Sequence, residues 1–220
     1  MALSVFTHLL VFGLQAMLEW FISYWNNDGR LPPLIPAVHS FQPSTGNFLL
    51  PSNLSILVDE NFAHSTQDTG LTLIPPSLLS FAETFREDLA RLFPNTTSSV
   101  SLIDPASLHG RRDYVFLTLD GSANHTLASG AYTTEGYAMA ITAREITVRG
   151  GGAKGAFWAT RTLLQGLVLG DGRFPNGVVE DQPDWATRGI MLGAFGFPFF
   201  LVHPPPLSLL FAFRALWTRT

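Results

Sequence analysis

An α+β fold, a β-sheet covered by helices, is what this sequence predicts. Two stretches carry apolar residues at helical spacing, and short strand-like runs lie before, between and after them. The formal charges are concentrated in residues 26–192. Residues 1–25 hold only Glu19, and residues 193–220 hold only Arg214 and Arg219. A mildly acidic domain is therefore expected between two apolar ends.

Taken in order, residues 30–43 are proline-rich and read as an extended lead-in. Residues 47–50 and 53–59 are β-like, and alternation puts Leu54, Ile56 and Val58 on one face. The spacing predicts a helix over 74–93. Pro75 and Pro76 suit its start, and Leu78, Phe81, Phe85, Leu89 and Leu92 make one stripe. Glu83, Arg86, Glu87, Asp88 and Arg91 supply its wet face, and Pro94-Asn95 ends it. Residues 100–103, 114–119, 136–142 and 145–149 are strand candidates, the last two forming a hairpin that turns at Ala143-Arg144. A glycine-rich turn, Gly150 to Gly155, then opens a second helix over 156–169, closed by Gly170-Asp171-Gly172. Phe157, Thr160 and Leu164 share a stripe directed at the sheet, with Trp158, Arg161 and Gln165 beside it. Val178-Val179 and residues 185–192 are the remaining strands.

The ends read differently. Residues 2–18 hold no Lys, Arg, Asp or Glu, and the apolar run continues through Trp20, Phe21, Ile22, Tyr24 and Trp25. That length approaches what enters a bilayer. Three readings stand open: a secretory signal lacking its basic region, a signal-anchor with Trp20, Tyr24 and Trp25 at the interface, or an atypical leader that never folds. Each of the first two brings residues 1–25 into contact with a membrane. The other end, with Phe195, Phe197, Phe199, Phe200 and the run Pro204 to Pro206, follows neither a helical nor a strand period. The expected organisation is an apolar leader over 1–30, an α+β domain over 31–183, a strand over 184–192 and an aberrant apolar tail over 193–220.

Composition removes several function classes. A net charge of −4 on 220 residues argues against nucleic-acid binding. The absence of cysteine excludes disulfides, thiolate catalysis and thiolate metal sites. His8, His39, His64, His109, His125 and His203 are scattered without metal-ligand spacing, so no metal or other cofactor is expected. The turn Gly150 to Gly155 lies where phosphates often bind, but Ala153 precedes Lys154 and Gly155 follows it, which is not a P-loop. A dinucleotide fingerprint fits Gly150, Gly152 and Gly155 but lacks its acidic partner, so a packing role is favoured. Glycoside hydrolysis needs two carboxyls facing one cleft. The adjacent pairs are Asp59-Glu60, Glu87-Asp88 and Glu180-Asp181. The first and last read as turn residues and the middle one as solvated helix surface. Three glycosylation sequons, at Asn53, Asn95 and Asn124, complete the candidates, with Asn95 and Asn124 in expected loops and Asn53 opening a strand.

The segment Gly155-Ala-Phe-Trp-Ala-Thr-Arg-Thr-Leu-Leu-Gln165 is the most distinctive in the chain. Gly136-Tyr137 precedes it, Glu180-Asp-Gln-Pro-Asp-Trp-Ala-Thr-Arg-Gly-Ile-Met-Leu192 follows it, and Leu-Pro-Pro-Leu-Ile-Pro-Ala-Val opens the domain at Leu31. In this order and spacing they resemble family-20 glycoside hydrolases, the β-N-acetylhexosaminidases, over residues 31–192. The resemblance implies a zincin-like N-terminal domain, a β-sheet covered on one face by two helices, followed by a (β/α)8 catalytic barrel. It implies hydrolysis of terminal N-acetylhexosamine from chitin oligomers or glycans by the whole enzyme, without a cofactor. The expected location is secreted or vacuolar-lysosomal, with a membrane anchor through the N-terminal apolar segment as the alternative.

The resemblance breaks at one point. In the family the first barrel strand continues with an Asp and then an Arg that grips the sugar hydroxyls; those positions hold Gly193 and Gly196 here. The His-x-Gly-Gly-Asp-Glu motif that orients and protonates the substrate is absent, and residues 193–220 are too few for a barrel of about 250 residues. The expectation is an α+β domain with the first barrel strand only, without catalytic or substrate-binding residues, truncated in the gene product or in the reading of its gene. A binding or interaction module that has lost catalysis, secreted or membrane-tethered, is the alternative.

Overall fold

The computed structural model describes residues 29–66, 75–121 and 125–186. Seven strands and two helices make an α+β domain: β1 (Ser40–Leu49), β2 (Asn53–Asp59), α1 (Leu78–Leu92), β3 (Thr97–Ile103), β4 (Tyr114–Leu119), β5 (Tyr137–Ile141), β6 (Glu145–Gly150), α2 (Ala153–Leu169) and β7 (Arg173–Asp181). A short 3₁₀ turn, Pro105–Leu108, follows β3. The strands form one mixed sheet in the order β1-β7-β5-β6-β4-β2-β3. β2 pairs in parallel with β3 and β4, and β4 with β6; β5 pairs antiparallel with β6 and β7, and β7 with β1. Helix α1 is the crossover that parallel β2 and β3 require. No closed barrel is present among the described residues.

Both helices lie on one face. Alternation sends Leu54, Ile56 and Val58 of β2, Val115 and Leu117 of β4, Met139 of β5 and Ile146 and Val148 of β6 into the same buried cluster as Phe85 and Leu89 of α1 and Leu163 and Leu167 of α2. The opposite face is divided. Over β2 and β4, Leu57, Tyr114 and Phe116 make a second buried cluster with Ile103 and the 3₁₀ residue Leu108. Over β5, β6 and β7 that face is open, and Val178, Glu180 and Arg149 are exposed there.

Most expected elements form, with several corrections. Helix α1 starts at Leu78, after both prolines, because the Ser77 hydroxyl caps it by accepting from the Ser80 N–H at 3.2 Å. Leu92 does not belong to its buried stripe; it is 50% exposed, and Ala82 takes part instead. Asp88 is not simply wet, since its carboxylate pairs with Arg161 of α2. Phe157 does not face the sheet. It packs on Phe81 of α1 with ring centroids 4.7 Å apart, and Arg161 covers its ring at 4.8 Å. Helix α2 begins three residues earlier than expected, at Ala153, with Gly152 as its N-cap.

Strand β1 takes in Ser40 to Pro43, assigned above to the lead-in, with a shift of register between Pro43 and Asn47. An edge strand tolerates such a proline. Strand β7 spans Arg173–Asp181, far more than Val178-Val179; its Pro175-Asn176-Gly177 imitates a turn signal. Glu180 and Asp181 are therefore strand residues, contrary to expectation. The β5–β6 hairpin turns at Ala143-Arg144, closed by the Thr142 N–H donating to Glu145 O at 2.9 Å. Trp185 and Ala186 are not in a strand, and residues 187–192, like 1–28 and the tail, lie outside the described residues.

Candidate functional site

A row of side chains crosses the open face near the ends of β4, β6 and β7. Strand register places Thr118 beside Arg149, Arg149 beside Ala138, Ala138 beside Glu180, and Glu180 beside Ser40. Ala138 has little bulk, so Arg149 and Glu180 stand on either side of a low floor. Two strand spacings, about 10 Å, separate their backbones. A cavity of about 500 Å³ lies over this floor, walled also by His39, Asp120, His125 and Gln182. Arg149 makes no ion pair among the described residues. The His125 ring packs against Gly136 and Gly151, and its Nε2 is buried without a hydrogen bond. The Thr126 N–H donates to Gln182 Oε1 at 3.1 Å, tying the loop after residue 125 to the end of β7.

Asp181 serves structure. Its Oδ1 accepts from the His39 N–H at 3.1 Å, and its Oδ2 accepts from the Tyr137 hydroxyl at 3.2 Å. The Tyr137 hydroxyl also lies 2.6 Å from Thr162 Oγ1 on α2. One carboxylate thus joins the lead-in, β5 and the helix layer. Burial pushes its pKa above the ordinary carboxylate range, against the opposing effect of the hydrogen bonds donated by His39, Gln182 and Tyr137. Burial likewise pushes the Tyr137 hydroxyl up, reinforced by the nearby Asp181 charge.

Of the adjacent carboxylate pairs, Glu180 and Asp181 both touch the cavity, but the Asp181 carboxylate is engaged by His39 and Tyr137. Asp181 turns to the helix side, so its strand neighbour Glu180 faces the other way. Asp59 is buried, its Oδ1 accepting from the Asn61 N–H and side-chain amide, both at 3.0 Å, and its Oδ2 from the Thr118 hydroxyl at 2.6 Å. Glu60 lies beyond the strand, exposed. Asp88 is engaged by Arg161 and Arg91, and Glu87 lies 3.7 Å from Arg86.

The glycine turn closes on protein. A Cβ at Gly155 would lie 2.2 Å from Gly136 O and 3.0 Å from Thr134 O, and one at Gly150 would lie 2.5 Å from the Ala156 nitrogen. The Gly151 N–H donates to Gly136 O at 2.8 Å. Backbone atoms thus fill the sides of the turn, leaving no room there for a larger residue. The turn packs the helix against β5.

His39 and His125 meet at the cavity, whereas His64 and His109 lie elsewhere, and His8 and His203 are outside the described residues. Among the described residues no three His, Cys, Asp or Glu side chains are grouped to hold a metal. No helix among them is long and apolar enough to cross a membrane. Asn53 begins β2 and Asn95 lies in the turn between α1 and β3, both exposed. Asn124, Gly193 and Gly196 lie outside the described residues. Sequence reasoning did not find Arg149, Asp120, Gln182 or the link of Tyr137 to Asp181, because strand order alone brings them together.

The family model for glycosyl hydrolase family 20, domain 2, matches residues 31–182. The chain belongs to glycosyl hydrolase family 20. The matched span is the α+β sheet with its two helices, the N-terminal domain of this family. Among solved structures, a chitobiase from Flavobacterium johnsoniae is similar at 17% identity and a TM-score of 0.48, covering 73% of this chain and 22% of that one. An N-acetyl-β-hexosaminidase from Streptomyces plicatus has 21% identity and a TM-score of 0.46, with 71% and 28% covered. A family-20 exo-β-N-acetylglucosaminidase from Vibrio harveyi has 16% identity and a TM-score of 0.44, with 69% and 19% covered. The chain thus spans less than a third of the length of these family-20 proteins.

Proposed function

We propose that this chain supplies the non-catalytic N-terminal domain of a β-N-acetylhexosaminidase. The single observation behind this reading is that the model for family 20, domain 2, matches residues 31–182, the sheet with its two helices. The adjacent carboxylate pairs support it, since each is committed or faces apart and glycoside hydrolysis needs two carboxyls across one cleft. The whole enzyme would remove terminal N-acetylhexosamine from chitin oligomers or other glycans, through residues of a barrel that this chain does not contain. The apolar residues 1–25 and the sequons favour a secreted or vacuolar-lysosomal route, or a membrane anchor at the N-terminus. Sequencing the transcript beyond codon 192 tests the reading. An in-frame Leu-Asp-x-x-Arg followed by His-x-Gly-Gly-Asp-Glu is expected; a transcript ending as the present chain does contradicts an enzymatic parent.

One observation favours a second reading, a binding module: Arg149 facing Glu180 over the cavity floor. Under it, a glycan or other polar ligand binds there and Arg149→Ala abolishes binding. Under the first reading Arg149→Ala changes nothing that a glycan array detects.

A further inference from the structure

The two edges of the sheet are treated differently. An unpaired strand edge is a template for a second chain, and proteins blunt it with proline, charge or a bulge. Strand β1, one edge, has Pro43 and a broken register. Strand β3, the other edge, has none of these. Its sequence Thr-Ser-Ser-Val-Ser-Leu-Ile carries no charge and no proline. Its pairing with β2 runs without a shift from Asn53↔Thr97 to Asp59↔Ile103. Leu102 is 47% exposed, and Ser101 is exposed beside it. At roughly 3.3 Å per residue this edge, uncovered by any strand among the described residues, is about 23 Å long.

The sequon at Asn95 lies at this unprotected edge. Asn95 is exposed in the turn two residues before β3, and its amide makes none of the described side-chain hydrogen bonds. Thr97, the hydroxyl residue of the sequon, is the exposed first residue of β3, its backbone held by the N–H donating to Ser52 O at 2.7 Å. Asn53 sits directly opposite Thr97 in the register, but the hydroxyl residue of its own sequon, Ser55, is inside β2, flanked by β3 and β4.

We propose that Asn95 is an N-glycosylation site and that its glycan shields edge strand β3 from pairing with a second copy of this chain. The donor is an oligosaccharide linked to a polyisoprenyl pyrophosphate. The bond between sugar C1 and the pyrophosphate oxygen breaks, the pyrophosphate leaves with the electron pair, C1 bonds to Asn95 Nδ2, and one Nδ2 proton passes to base. No oxidation or reduction takes place. The glycan is bulky and strongly hydrated, which is what an uncharged edge lacks.

The test uses the full chain behind a cleavable leader, translated with glycosylation-competent microsomes. In an Asn53→Gln, Asn124→Gln background, one glycosidase-sensitive mass increment is expected to survive Thr97→Ser and to disappear in both Asn95→Gln and Thr97→Val. Size-exclusion chromatography then compares glycosylated chain with the same chain after enzymatic deglycosylation, so any association through the tail is common to both. Deglycosylation is expected at least to double the associated fraction, and Ser101→Lys to reverse that rise by charging the edge. An increment that persists in Asn95→Gln, or no increment at all, overturns the site. An associated fraction that deglycosylation leaves unchanged, or that Ser101→Lys does not reduce, overturns the shielding.

Discussion

Replacing Gly155 with alanine sets two effects of opposite sign against each other. Alanine is the better helix former by about 1 kcal/mol, so propensity alone makes the variant more stable. The added methyl, however, falls 2.2 Å from Gly136 O and 3.0 Å from Thr134 O, both backbone atoms that no rotamer change can clear. Relieving the contact requires α2 and the start of β5 to separate by about 1 Å. Overpacking of this kind costs typically 1–3 kcal/mol, and a clash with backbone belongs at the upper end. After the gain in propensity the net loss is about 2 kcal/mol, a fall in melting temperature of roughly 4–8 °C. Thermal unfolding followed by far-UV circular dichroism measures it. Gly121→Ala, where the methyl meets nothing within 4 Å, serves as the neutral control. A Gly155→Ala protein as stable as the parent, or more so, refutes the claim that the turn exists for close packing. Lys154→Ala at the same turn is expected to shift stability by well under 1 kcal/mol. ATP or NAD is expected to leave the melting temperature of either protein unchanged.

Asp181 gives a pH dependence of known sign. Its folded-state pKa lies above the ordinary carboxylate value, so between the two values the native state holds the extra proton and stability falls as pH rises through that window. Asp181→Asn, which stays neutral, is expected to lose that fall when melting temperature is followed upward from pH 4; a stability difference between the two proteins that is independent of pH contradicts it. Thr118→Val leaves buried Asp59 Oδ2 without its 2.6 Å donor and is expected to cost about 1–3 kcal/mol in urea unfolding, with a loss under about 0.5 kcal/mol counting against the interaction. A chain shortened to end at Asp184 is expected to run as a monomer where the full chain associates, since residues 187–220 are rich in Leu and Phe and each such side chain is worth roughly 1.5–3 kcal/mol on burial. A full chain that runs as a monodisperse monomer, with residues 186–220 resistant to protease, would contradict this.

The parts of the fold visible in the sequence are those with local causes. The stripe of α1 and the alternation of β2 arise from spacing within one element, and the turn of the β5–β6 hairpin is a matter of a few neighbouring residues. Elements with non-local causes are not legible in the sequence. Strand β7 holds Pro175 and Gly177, yet forms because β1 pairs with it from Arg173 to Glu180 and β5 from Gly177 to Asp181. Phe157 looked directed at the sheet because nothing in the chain announces that α1 packs beside α2. The cavity was the least legible feature. Arg149, Ala138 and Glu180 belong to strands whose adjacency follows only from the sheet order, and Asp181 looked like a turn residue until Tyr137 was placed opposite it in register.

The most direct measurement is turnover of a chromogenic β-N-acetylglucosaminide by the purified full chain. Hydrolysis no faster than the buffer blank is expected, because residues 1–220 hold no His-x-Gly-Gly-Asp-Glu motif and the adjacent carboxylates of the domain are committed or face apart. Activity that co-purifies with the chain through orthogonal steps and is lost on substitution of Asp59, Asp120 or Glu180 would contradict it.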